Sequence, residues 1–212
     1  MKDTLVINTS PAPFPSSTHP RFPLFDSDSG NNAAKMVSSL TVGDRFFVAE
    51  ASREVMLSHR PRIGSGGFPL GTTKSAAEHL FSVTTLLAGN PSSTLPMSVR
   101  VFAVAEPVFS TILTSPICPK TAMPLVYLRN LITSLTKLAP VTFSPSVPVA
   151  IELIYRDLPS ISPALRLAFA DTFAFYLHNM NMAWPFWSSW NEAATGGNRP
   201  CTVFIRRLFQ TL

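Results

Sequence analysis

Ser162-Pro163-Ala164-Leu165-Arg166-Leu167-Ala168-Phe169-Ala170-Asp171-Thr172-Phe173-Ala174-Phe175-Tyr176-Leu177-His178-Asn179-Met180, followed closely by Trp184-Pro185-Phe186-Trp187-Ser188-Ser189-Trp190, is the stretch that decides the fold. Serine before proline opens a helix, because the hydroxyl caps free backbone N–H groups and proline suits the first helical position. Phe169, Phe173, Tyr176, Leu177 and Met180 then recur at three- and four-residue spacing and face one way. Leu165 to Trp187 is also the best candidate for a membrane span, which needs about 20 mostly apolar residues. Arg166, Asp171, His178, Asn179 and Asn181 interrupt it, and Pro185 follows. Charged and polar groups in mid-span are costly in lipid, so a buried helix is the reading. Trp184, Trp187 and Trp190 are spaced by three and would share one face of a short helix. That spacing favours core over an exposed stacking platform. Phe173, Trp184, Trp187 and Trp190 are therefore the expected structural core of a closing helical pair.

Working outward, the same helical period holds from Asp44 onward. A first helix is predicted over about Asp44–His59, capped by Asp44, with Phe47, Ala51 and Val55 on its apolar face. A second covers about Thr73–Ala88, with Ser75 and Glu78 at capping-box spacing. A third covers about Ser98–Leu113, where Pro107 predicts a kink or a split. A fourth runs over about Ala122–Leu138, with Leu128, Leu131, Ile132, Leu135 and Leu138 as its stripe. A fifth covers about Pro148–Leu158, the Ser162-Pro163 helix is the sixth, and a last one covers about Pro200–Thr211. Short proline-bearing connections and the lack of strand-like alternation give an all-α fold of antiparallel helical hairpins, of the HEAT or armadillo repeat type. Residues 1–40 are expected to be a mostly flexible tail, rich in Pro, Ser, Thr, Asp and Asn. Within it, Pro20-Arg21-Phe22-Pro23-Leu24-Phe25 is an apolar island able to dock on the domain.

The chain has 212 residues, 46% of them apolar, enough for a sizeable core. Its mean hydropathy is +0.23 and its pI about 9.6. The net charge of +5 is spread out, densest at Arg60-Pro61-Arg62 and Arg206-Arg207. Such a balance tolerates an anionic partner without demanding one. Arg206 and Arg207 are the candidate partner- or RNA-binding residues, against the plainer reading of a solvated basic face. The beginning Met1-Lys2-Asp3 has no apolar run of signal-peptide length, so a cytosolic or nuclear protein is expected.

The motifs of chemistry are weak. Cys118 and Cys201 make neither a disulfide framework nor a metal spacing. His19, His59, His79 and His178 have no partner at ligand spacing along one helix. His59 ends a helix, where a cation is favoured by the dipole alone. Gly64-Ser65-Gly66-Gly67 is followed by Phe68-Pro69 rather than Gly-Lys-Ser, so it is a loop and not a phosphate cradle. No carboxylate pair stands out as acid and base. The expectation is no enzyme, no metal and no cofactor.

Phe173-Ala174-Phe175-Tyr176-Leu177-His178-Asn179-Met180-Asn181-Met182-Ala183-Trp184, with Trp187-Ser188-Ser189-Trp190, resembles a stretch in the large subunit of the nuclear mRNA cap-binding complex. There an aromatic-rich helix leads through His-Leu-Ser-Asn into three tryptophans; here Tyr176 stands at the histidine and His178 at the serine. Pro200 to Leu208 is similar to the helix that follows, and Leu95-Pro96-Met97-Ser98 to an earlier helix opening. Asp44-Arg45-Phe46-Phe47-Val48 and Pro20-Arg21 with Phe25-Asp26 resemble segments before it. The resemblance spans about residue 20 to the end, and points to the middle of three helical-repeat domains of the initiation-factor-4G middle-domain type. It implies that residues 41–192 form this domain, and that 193–212 are the first helix of a following, mostly absent one. It also implies a nuclear scaffold that holds the small RNA-recognition-motif cap-binding subunit, meets capped RNA indirectly, and offers surfaces to processing and export factors, with no membrane involved. The other reading is a helical-repeat RNA-binding or adaptor module unrelated to the cap complex.

Overall fold

The computed structural model describes residues 24–25, 30–61, 70–86, 95–114, 123–195 and 199–212. Among them lie nine helices and no strand: α1 (Asn32–Ser38), α2 (Val42–Ser58), α3 (Leu70–Leu86), α4 (Met97–Thr114), α5 (Leu125–Leu138), α6 (Ser146–Arg156), α7 (Pro163–Asn179), α8 (Trp187–Thr195) and α9 (Arg199–Thr211). Alternate helices touch: α2 packs on α4 and α4 on α6, while α3 packs on α5, α5 on α7 and α7 on α9. Trp190 of α8 stacks on Tyr155 of α6, which extends the first series. Contacts between every second helix mean two layers of stacked helix pairs, the architecture of an all-α helical-repeat domain.

α4 sits at the centre and touches α1, α2, α3, α5, α6 and α7. Val99, Val101–Ala105, Val108, Phe109, Ile112 and Leu113 are all buried, so it is apolar nearly all round. It is also the one helix among the described residues long and apolar enough to cross a membrane, and over half of it is buried against its neighbours. Leu165–Trp187 is not such a helix, because α7 ends at Asn179. Pro107 neither splits nor ends α4.

Several boundaries differ from the sequence reading. Residues 30–40 are not a featureless tail. Asn31 accepts from the backbone N–H of Ala33 at 2.8 Å and caps α1, whose Ala34 and Val37 are buried. Of the apolar island, Leu24 and Phe25 lie among the described residues, and both are buried. Phe25 meets Phe102 of α4 at a centroid distance of 5.1 Å. Its N–H donates to Glu106 at 3.1 Å, and Arg45 donates to its carbonyl at 3.2 Å. Arg45 closes the clamp by pairing with Glu106 at 2.6 Å.

The cap of α2 is Thr41, not Asp44. Asp44 is the third helical residue; its N–H donates to the Thr41 hydroxyl at 3.1 Å, and its carboxylate accepts from that hydroxyl at 2.7 Å. The buried face is Val48, Ser52 and Met56, one position round from the predicted one, so Phe47 is 55% exposed. Ser75 and Glu78 lie inside α3, which starts at Leu70. Leu138, at the end of α5, is exposed.

Candidate functional site

α7 opens as its sequence demands: Ser162 accepts from the N–H of Leu165 at 3.4 Å, and Pro163 is the first helical residue. Its close is less ordinary. Asn181 and Met182 have φ values of 52° and 58°, and the N–H of Met182 returns to the carbonyl of Leu177 at 2.9 Å. Two left-handed residues reverse the chain. They swing Trp184 back onto Phe173, with ring centroids 4.6 Å apart.

The aromatic cluster grows from there. Trp190 lies 5.2 Å from Trp184, stacks on Tyr155 at 4.1 Å, and meets Phe204 of α9 edge-on at 5.8 Å. Its indole N–H donates to Glu152 at 2.8 Å. Phe173, Trp184 and Trp190 are buried. Trp187 is only half-buried and stacks outward on the exposed Phe209 at 5.7 Å. The three tryptophans do not share one helix face, since Trp184 precedes α8 and reaches the cluster through the turn. Burial first, then the neighbouring Cys201 and Glu152, push the Tyr155 phenol up. Burial likewise raises the Cys201 thiol, which is inert packing here. Cys118 lies outside the described residues.

α9 carries the two arginines singled out in the sequence, and they part ways. Arg207 turns inward across α7 and holds Asp171 with two bonds, of 2.7 and 3.0 Å. Thr211 donates to the same carboxylate at 3.1 Å. Burial alone would raise the Asp171 pKa, but the bonds from Arg207 and Thr211 and the charges of Arg207 and Arg129 hold it below the usual carboxylate value. Arg206 faces solvent, as do Arg199, Val203 and Phe209 on the outer side of the same helix. The inner side of α9 packs on the preceding helices, α7 and α8, with Cys201, Phe204 and Leu208 buried.

Sequence spacing missed one pairing. His59, the C-cap of α2, and His79, in α3, meet at 3.0 Å between ring nitrogens. Spacing along a single helix could not reveal it, because the two lie on different helices. No group of three His, Cys, Asp or Glu side chains placed to hold a metal ion occurs among the described residues.

Two layers of stacked helix pairs, closed by an aromatic cluster and edged by a basic, partly apolar helix, are the build of a helical-repeat scaffold. The chain belongs to the MIF4G-like family, whose model matches residues 76–211. The match begins within α3 and runs to the last residue of α9, so the final helix lies inside the family domain. Domains of this family are helical scaffolds, not known as enzymes. No curated protein and no solved structure matches the chain.

Proposed function

We propose that this chain is a non-catalytic scaffold domain of the kind found in the large subunit of the nuclear cap-binding complex. In this reading it works in the nucleus, binds the small RNA-recognition-motif subunit, and so supports the processing and export of capped mRNA. The observation that carries the reading is the ordered resemblance from Phe173 to Trp190, with its flanking helices, on a chain of the MIF4G-like family. The family alone supplies the scaffold; the resemblance supplies the partner.

Arg206 and Arg207 are the proposed contacts to RNA phosphate or an acidic partner. Arg206 is the first of the two to test, because it faces solvent while Asp171 engages Arg207. If RNA phosphate is met there, Arg206→Ala flattens the dependence of log affinity on log salt by about 0.7–0.9.

The deciding experiment is a pull-down of the full chain with the small cap-binding subunit from the same organism, with and without capped RNA. Stable co-purification supports the reading. No association, from a chain shown to be helical by circular dichroism, sinks it as stated. RNA binding without the small subunit favours the adaptor reading instead.

A further inference from the structure

His59 and His79 are 20 residues apart in sequence, yet His59 Nε2 and His79 Nδ1 lie 3.0 Å apart, with ring centroids at 4.8 Å. The state of His59 follows from its other nitrogen. Nδ1 lies 3.0 Å from the carbonyl oxygen of Val55 and 3.0 Å from Ser58 Oγ, whose own hydroxyl proton goes to that carbonyl at 2.9 Å; both oxygens are left to accept, so Nδ1 carries a proton. In the neutral ring the lone pair is then on Nε2 and points at His79. A ring N–H tied to a backbone carbonyl, with the opposite lone pair presented outward, is the arrangement by which proteins fix a metal-ligating histidine.

We propose that His59 and His79 form a two-imidazole site for a divalent transition-metal ion, of the Cu2+ or Ni2+ class, which clips α2 to α3. In the neutral pair the one ring proton of His79 sits on Nδ1, between the rings; it moves to Nε2, so that both facing nitrogens offer lone pairs to the ion and no proton is lost. Two nitrogens 3.0 Å apart, each about 2.0 Å from one ion, subtend roughly 95° at it. That matches neighbouring positions of a square or tetragonal ion better than a tetrahedral edge, which needs about 3.3 Å. His59 closes the C-terminal end of α2, where unpaired carbonyls favour positive charge. His79 is exposed and His59 half-buried, so water can complete the coordination. The clip joins a helix outside the family match to one that the match reaches, since α2 ends at Ser58 and the match begins at residue 76.

The test is titration of the full chain with Cu2+ alone, followed by calorimetry and by electron paramagnetic resonance of the one-to-one complex. The parent is expected to bind one tight equivalent, with hyperfine splitting from two imidazole nitrogens. Two tethered ligands reinforce each other, so His59→Gln and His79→Gln should each weaken that equivalent by roughly 100-fold and leave a single-imidazole signal. His79 is exposed, so its replacement leaves the helices intact, as circular dichroism checks. The proposal is overturned if the parent has no tight equivalent, if its signal shows one imidazole, or if either variant binds as the parent does.

Discussion

Trp190 donates its indole N–H to the carboxylate of Glu152 at 2.8 Å while stacking on Tyr155 one turn further along α6. One side chain thereby ties α8 to α6 by both its polar and its apolar parts. It also supports Phe173, Trp184 and Phe204 around it. Trp190→Ala should cost about 3–5 kcal/mol, the range for removing a large buried aromatic. Trp187→Ala, at a half-buried position, should cost roughly 1 kcal/mol. Urea denaturation of both variants checks this. Equal losses would show that the cluster has no inner and outer members.

The docked Phe25 segment should depend on the ion pair that grips it. Glu106 accepts from both the Phe25 N–H and Arg45, whose side chains are 13% and 18% exposed for the pair's Glu and Arg respectively. Phe25→Ala should cost about 3–5 kcal/mol. Glu106→Ala should cost roughly 2–4 kcal/mol, since it leaves a partly buried guanidinium without its carboxylate. The two losses should fall short of additivity by about 1–2 kcal/mol in a double-mutant cycle, because Glu106 grips the backbone at Phe25 while the ring packs on Phe102, and undocking by either change forfeits what the other would remove. Full additivity would mean that the clamp does not hold the segment.

Asp171 should make stability pH-dependent. Its pKa in the folded chain lies below the ordinary value, so its contribution is present in full above the unfolded carboxylate range and is lost as pH falls through the folded value. Asp171→Asn should therefore be less stable than the parent at neutral pH. The gap should narrow once pH drops below about 4, where the unfolded carboxylate protonates. Denaturation midpoints at neutral and acid pH measure it, and a gap that stays constant would rule the linkage out.

The turn after α7 stores strain at Met182, a left-handed residue with a Cβ and a 41% exposed side chain. Met182→Gly should relieve it. The αL penalty of about 1–2 kcal/mol outweighs glycine's extra unfolded freedom of roughly 0.5–1 kcal/mol. A net gain of about 0.5–1 kcal/mol is expected in thermal unfolding. A loss would show that the Met182 side chain contributes more than its backbone costs.

The all-α class and most helix positions were legible because they rest on local signals. Ser162-Pro163 could only open a helix, and the spacing of Phe169, Phe173, Tyr176 and Leu177 gave the right face. α2 shows where local signals stop. Phe47 and Val48 are adjacent and both apolar, and composition does not say which one meets α4. The answer, Val48, depends on where Arg45 must sit to reach Glu106. The same gap hid the differing fates of Arg206 and Arg207. Neighbours in sequence point about 100° apart on a helix, and only the position of α7 decides which one finds Asp171.

By itself, then, the sequence determined the helical content, the caps that begin α7, the aromatic residues of the closing cluster and the absence of any recognisable catalytic motif. Each follows from periodicity or from chemistry within a few residues. Tertiary structure alone decided the rest. It brought Phe25 to Glu106, Arg207 to Asp171, Trp190 to Glu152 and His59 to His79. Those pairs lie between 20 and 81 residues apart. No local rule relates such partners, because their meeting depends on how whole helices stack.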